Sequence, residues 1–81
     1  MSSDEETIGR INKDIEIFKT NIKEIKSLEL NPNENEVIER AKSYFEDTSY
    51  FLQKNDLVTS FGCITYAHGL LDSIRLIHEL I

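Results

Sequence analysis

Four residues near the carboxyl end of the chain have side chains suited to binding a ligand or moving a proton: Tyr66, His68, Asp72 and Arg75. His68 and Asp72 are four residues apart, so on a helix they share one face. An imidazole beside a carboxylate can be a base with its orienting partner, or two metal ligands. Arg75, three residues after Asp72, can neutralise that carboxylate, so we favour a surface network of ion pairs. The alternative is a nucleotide- or RNA-related site along this edge of the helix.

Other reactive residues do not form a recognisable catalytic or metal motif. No His follows a Glu by three residues, which is the spacing that di-iron helical bundles use. The only cysteine, Cys63, falls in an apolar stripe, where a thiol usually stays neutral and packs as a small hydrophobe. We therefore predict no catalytic residues, no metal and no cofactor, and we favour a non-catalytic role while leaving enzymatic activity open.

The charge of the chain bears on its partners. A formal net charge of −6 and a pI near 4.8 argue against an electrostatic grip on nucleic acid or on an anionic membrane. The first residues lack the positive start and apolar run of a secretory signal, and no apolar run approaches the roughly 20 residues that span a bilayer. A cytoplasmic protein without a membrane contact is expected.

Apolar periodicity predicts three helices. The first carries the spacing of a heptad seam, with apolar residues three and four positions apart at Ile8, Ile11, Ile15, Phe18, Ile22 and Ile25. The predicted helices cover about 4–28, 33–54 and 56–80, within one domain over 1–81. They form an all-α, antiparallel three-helix bundle in which the long first helix packs on a helical hairpin.

Two short segments have the residues that end one helix and begin the next. Asn31 and Glu34 fit a capping box around Pro32, a residue favoured at the first helical position. Asn55 suits a left-handed position and Asp56 suits an N-cap, so the second and third helices can reverse direction with almost no loop. A connection this short predicts antiparallel neighbours.

The third helix has apolar or small residues on two stripes. Its inner stripe contains Cys63, Ala67, Leu70, Ile74, Ile77 and Ile81, widened by Ile64 and Leu71. Its outer stripe contains Val58, Gly62, Thr65, Gly69, Leu76 and Leu80. Because glycine inside a helix costs about 1 kcal/mol relative to alanine, glycines seven residues apart suggest that another backbone comes close. Either the outer stripe is a homodimer surface, or both stripes serve the core of the monomer.

The segment from Ala41 to Ile74, with the heptad helix ahead of it, resembles a small family known chiefly from archaea, number 357 among the domains of unknown function. The likeness rests on Ala41, Tyr44, Phe45, the Asn55-Asp56 turn, Phe61-Gly62 and the run Tyr66-Ala67-His68-Gly69-Leu70-Leu71-Asp72. The resemblance implies a compact helical bundle and leaves the activity open.

A weaker likeness is to a single tetratricopeptide hairpin, through Tyr44, Phe51, Ile64, Ala67 and the same turn. One such unit cannot form the stacked array that those repeats require. From the excess of apolar surface we predict an interaction module that pairs with a second copy or with another protein. The contact is expected on the outer stripe, or on the exposed side of the first helix at Ile17 and Leu28.

Overall fold

The computed structural model describes residues 3–81, and within them the chain is all-α, as predicted. Helix α1 covers Ser3–Ile22, α2 covers Pro32–Gln53 and α3 covers Leu57–Ile77, and a 3-10 helix at Lys23–Ser27 follows α1. Met1 and Ser2 of the predicted 1–81 unit lie outside the described residues. The helices pack on one another as a three-helix bundle, with α2 antiparallel to both α1 and α3.

The helix ends confirm the predicted caps. The Asn31 side chain accepts a hydrogen bond from the Glu34 N–H (2.8 Å), and the Glu34 carboxylate accepts one from the Asn31 N–H (3.1 Å), which completes the capping box. Between α2 and α3, Asn55 has φ 58° and the Asp56 carboxylate caps the Thr59 N–H. Because the Asn55 and Asp56 N–H groups reach back to carbonyls of the last turn, α2 ends in a Schellman motif.

The first helix differs from the predicted continuous α-helix to residue 28. The α-helical part ends at Ile22, and the chain tightens into the 3-10 helix, which closes with the Leu28 N–H donating to the Ile25 carbonyl (3.1 Å). Three residues per turn align side chains that are three positions apart. Ile22, Ile25 and Leu28 therefore remain on one side, although the helix type changes.

Small residues line the contact between α2 and α3. Ala41 and Thr48 on α2, and Ser60 and Ala67 on α3, are fully buried. The Ser60 hydroxyl donates to the backbone carbonyl of Thr48 (2.8 Å), so one serine side chain spans the space between the two helices. The hairpin is therefore tightly closed, and its remaining sides receive α1.

The heptad seam of α1 packs against this hairpin. Phe18 is buried, stacks on Phe45 of α2 with ring centroids 4.5 Å apart, and meets the edge of His68 of α3. The core consists of Ile11, Ile15, Phe18, Ile25, Ile38, Ala41, Ile64, Ala67, Leu71 and Ile74. The prediction that the isoleucine seam faces the core is confirmed.

Two residues of the predicted inner stripe lie outside the core. Ile77 is 65% exposed and Ile81 is 56% exposed. Ile77 is the last residue of α3, and Glu79 then adopts a left-handed conformation with φ 59°, so Ile81 no longer continues the helix. The chain is less compact than a typical domain of its length, because its Cα radius of gyration is 13.4 Å where about 12 Å is expected.

Replacing the two left-handed residues with glycine tests how these helix ends are held. Glu79→Gly is expected to raise the free energy of unfolding by about 0.5–1 kcal/mol, because a left-handed conformation is costly for a residue with a Cβ atom. Asn55→Gly is expected to gain less, since asparagine tolerates this conformation. Urea unfolding followed by circular dichroism measures both, with Ser43→Gly, at an exposed position inside α2, as a control that loses stability. A loss in Glu79→Gly would contradict the assignment.

Candidate ligand-binding site on the third helix

The four predicted site residues do not share one edge of α3. His68, Asp72 and Arg75 lie on the side of α3 that meets α1. Tyr66 lies on the opposite side, where its ring meets Tyr44 of α2 edge to face with centroids 4.7 Å apart. The cause is helical geometry, because residues two positions apart point about 200° away from each other. A site that uses Tyr66 together with His68 is therefore not assembled within one chain.

His68 connects α3 to α1 and is half-buried. Its Nε2 atom lies 2.8 Å from the backbone carbonyl oxygen of Asp14. Since a carbonyl oxygen only accepts, Nε2 carries the hydrogen and donates it. Asp72 does not orient the ring, so the base-and-carboxylate pair considered from the sequence is not formed here. The contact with Asp14 and the edge-to-face contact with Phe18 give His68 a structural role in this chain.

Arg75 is the best-partnered charged residue on this side of α3. It is only 9% exposed, and its Nη1 atom donates to Asp72 (2.8 Å) while Nε and Nη2 donate to the two carboxylate oxygens of Glu24 (3.2 and 3.5 Å). Burial by itself would lower the pKa of Arg75, but the hydrogen bonds and charges of Asp72 and Glu24 outweigh burial and raise this pKa. Arg75 therefore neutralises Asp72, as the sequence suggested, and also holds the 3-10 helix onto α3.

A shallow cleft of about 260 Å³ runs between α1 and α3 beside these residues. Its lining includes Arg10, Asp14, His68 and Asp72. Arg10 pairs with Asp14 (3.2 Å) and Asp72 pairs with Arg75. The charges in this lining are therefore already compensated within the chain. Among the lining residues no cation is left unpaired for a phosphate group, so the geometry gives no support to the nucleotide alternative.

Cys63 is half-buried on the side of α3 that faces α2. Burial raises the pKa of its thiol, and the negative charges of Asp47 and Asp56 raise it further. A neutral thiol is a poor nucleophile and a poor metal ligand. Within residues 3–81, no group of three or more His, Cys, Asp or Glu side chains is placed to hold a metal ion.

A further cross-helix contact was not evident from the sequence. The Nε2 atom of His78, at the end of α3, lies 2.8 Å from the Glu34 carboxylate at the start of α2. Glu34 already belongs to the capping box of α2, and the backbone N–H of Asn31, followed by His78, lowers the pKa of its carboxyl group. The two residues are 44 positions apart, so only the folded hairpin brings them together.

These features define a helical bundle in which His68, Arg75 and His78 connect elements that are distant in the sequence. None of the helices in the described part of the chain is long and apolar enough to cross a bilayer. The family model for a protein of unknown function, DUF357, matches residues 13–80, and the chain belongs to that family. The match covers α2, α3 and the second half of α1. No curated protein matched the chain.

The Arg75 cluster predicts a measurable loss of stability when the guanidinium is removed. Arg75→Met is expected to lower the free energy of unfolding by about 1–2 kcal/mol, because Glu24 and Asp72 then repel each other without a counter-charge. The loss stays below that of a fully buried pair because both carboxylates are partly solvated. Urea unfolding measures it, with Arg40→Met, in an exposed pair with Glu36, as the control that changes little. Equal losses in the two variants would contradict the role of Arg75.

The lowered pKa of Glu34 predicts a pH dependence. Because the pKa is lower in the folded chain than in the unfolded chain, the ionised carboxylate adds stability above its ordinary pKa of 4.5, and this contribution disappears as pH falls through the folded value. The difference in melting temperature between the wild type and Glu34→Gln should be constant at neutral pH and shrink in acid. Melting curves between pH 3 and 7 test this, with Glu46→Gln on the exposed side of α2 as the control. A difference that does not change across this range would refute it.

Proposed function

We propose that this chain is a non-catalytic interaction module that self-associates through the outer stripe of α3. The observation that carries the proposal is the exposure of that stripe in the single chain. Val58 is 86% exposed and Leu76 is 60% exposed, and Gly62, Thr65 and Gly69 are exposed as well. Leu80, predicted on the same stripe, is exposed but lies beyond the end of α3 at Ile77. Contiguous apolar residues on a surface are a common mark of a protein contact.

The composition of α3 supports the proposal. From Leu57 to Ile77 the helix contains one Asp, one Arg and one His, and no Lys or Glu. A helix that is apolar nearly all round is usually covered on every side. In this chain α1 and α2 cover two sides of α3, and the third side faces outward. A second copy of the chain can cover this side with apolar contacts, the same kind that α1 and α2 make with α3.

The two glycines of the stripe give independent support. A methyl group added to Gly62 or Gly69 would have no neighbouring atom within 4 Å. The packing of the single chain therefore gives no reason for glycine there, although each glycine costs about 1 kcal/mol relative to alanine. Close approach of a second backbone is a physical reason for keeping the surface flat at both positions.

The size of the stripe limits the form of the contact. A helix of 21 residues is about 31 Å long and about 10 Å wide, so its outer side offers on the order of 300 Å² per copy. A stable dimer buries at least about 1,000 Å² in total. The contact must therefore extend beyond the stripe, and exposed Phe61, Tyr66 and Ile77 lie along its two borders.

An antiparallel arrangement of the two α3 helices suits the charges best. A two-fold axis halfway between Gly62 and Gly69 places each glycine opposite the other glycine of the partner copy. In this arrangement the α1 helices of the two copies lie on the same side of the contact and run in opposite directions. This brings Arg10 of one copy towards Asp72 of the other. The opposed helix dipoles also favour it.

Sedimentation equilibrium over a wide concentration range tests self-association. The wild type is expected to reach about 19 kDa, twice the chain mass of 9.4 kDa. Gly69→Arg and Leu76→Glu should each shift the equilibrium to the monomer, because both place a charge inside the contact. Ser43→Arg and Gln53→Glu, which introduce the same charged residues at exposed positions of α2, are the controls.

The proposal is wrong if the wild type stays monomeric at every concentration, or if Gly69→Arg and Leu76→Glu leave both the mass and the stability unchanged.

Disulfide formation tests the antiparallel arrangement of the two α3 helices, in a Cys63→Ala background that removes the native thiol. Thr65→Cys lies near the two-fold axis and should cross-link two copies. Leu76→Cys is far from the axis and should not, whereas cross-linking of both variants would indicate parallel helices.

A further inference from the structure

A groove of about 440 Å³ lies between the 3-10 helix and the first turns of α2, away from the outer stripe of α3. Its apolar wall consists of Ile22, Ile25, Leu28, Leu30 and Ile38. Ile25 and Ile38 are buried at its floor, and the other three are half-buried. Half-burial in the single chain leaves apolar surface that a ligand can cover.

The local backbone explains why these residues line one groove. The change from α-helix to 3-10 helix after Ile22 aligns Ile22, Ile25 and Leu28 as a ridge. The extended Leu28 and the Asn31 capping box then turn the chain back into α2, which places Ile38 opposite that ridge. A continuous α-helix to residue 28 would rotate Leu28 about 120° away from Ile22 and would not form this wall.

The charges at the rim of the groove differ from those of the chain as a whole. Lys26 and Lys42 lie at the rim with one acid, Glu39, which pairs with Lys42 (3.3 Å). In the described part of the chain, Lys26 has no ion-pair partner. The formal charge of these three residues is +2 − 1 = +1, on a chain whose net charge is −6. The groove therefore combines an apolar wall with a locally positive rim.

We propose that this groove binds a free aliphatic carboxylate, such as a medium-chain fatty acid. The alkyl chain lies along the isoleucine and leucine wall, and the carboxylate meets the ammonium groups of Lys26 and Lys42. The volume is within the range of small-molecule sites. An ammonium group facing a carboxylate over an apolar wall provides both the orientation and the affinity. The uncharged amide of Asn35, also in the lining, offers a further donor.

Isothermal titration calorimetry with octanoate, decanoate and dodecanoate, each below its micellar concentration, tests the proposal on the full chain. The affinity should rise up to about fourfold for each added methylene, as expected for alkyl groups that leave water. Decyltrimethylammonium, which has the same chain length and the opposite charge, should bind at least about tenfold more weakly than decanoate. Equal binding of the two head groups, or no binding of any carboxylate, overturns the proposal.

Variants at the rim locate the site. Lys26→Glu should weaken decanoate binding about tenfold or more, and Lys26→Gln should weaken it less. Lys19→Glu, an exposed change on α1 outside the groove, should leave it unchanged. If Lys26→Glu and Lys19→Glu behave alike, the fatty acid binds elsewhere and the proposal fails. No residue of α3 lines the groove, so this outcome and the sedimentation experiment are independent.

Discussion

The close contact between α2 and α3 is the constraint on which the other contacts depend. Ala41 and Thr48 on one helix, and Ser60 and Ala67 on the other, are fully buried, and the Ser60 hydroxyl donates to the Thr48 carbonyl across the contact. A larger side chain at any of these positions would force the helices apart, and such overpacking usually costs about 1–3 kcal/mol. The short turn at Asn55 allows this closeness because it adds no loop between the helices.

The closed hairpin determines what the reactive side chains do. The α1 helix packs along one side of the hairpin, where Phe18 lies between Phe45 and His68. His68 then donates to α1, and Arg75 holds the 3-10 helix through Glu24. The residues that looked most suited to chemistry are thus occupied in joining elements that are distant in the sequence.

The same packing leaves two surfaces without a partner in the single chain. The outer stripe of α3 is open because α1 and α2 cover only the other sides of this helix. The groove beside the 3-10 helix exists because α1 stops being α-helical at Ile22. One surface is flat and nearly uncharged, which suits a second protein chain. The other is concave with a positive rim, which suits a small anionic amphiphile. The two can be tested separately because they share no residue.

The sequence by itself determined the local features of this protein. The Asn31 capping box, the left-handed Asn55, the Asp56 cap and the isoleucine seam depend on residues within a few positions of one another, and all of them form as predicted. Tyr66 is an instructive case: its separation from His68 also follows from local geometry, because two residues on a helix point about 200° apart.

Only the tertiary structure decided which residues meet across the bundle. His68 reaches Asp14, Arg75 reaches Glu24 and His78 reaches Glu34, and each pair is more than 40 positions apart. The tertiary structure also decided that the 3-10 helix replaces the end of α1 and that Ile77 is exposed. These outcomes depend on how three helices share one small core. The position of each helix is stabilised by contacts with the other two helices, and such contacts leave no periodic signal in the sequence.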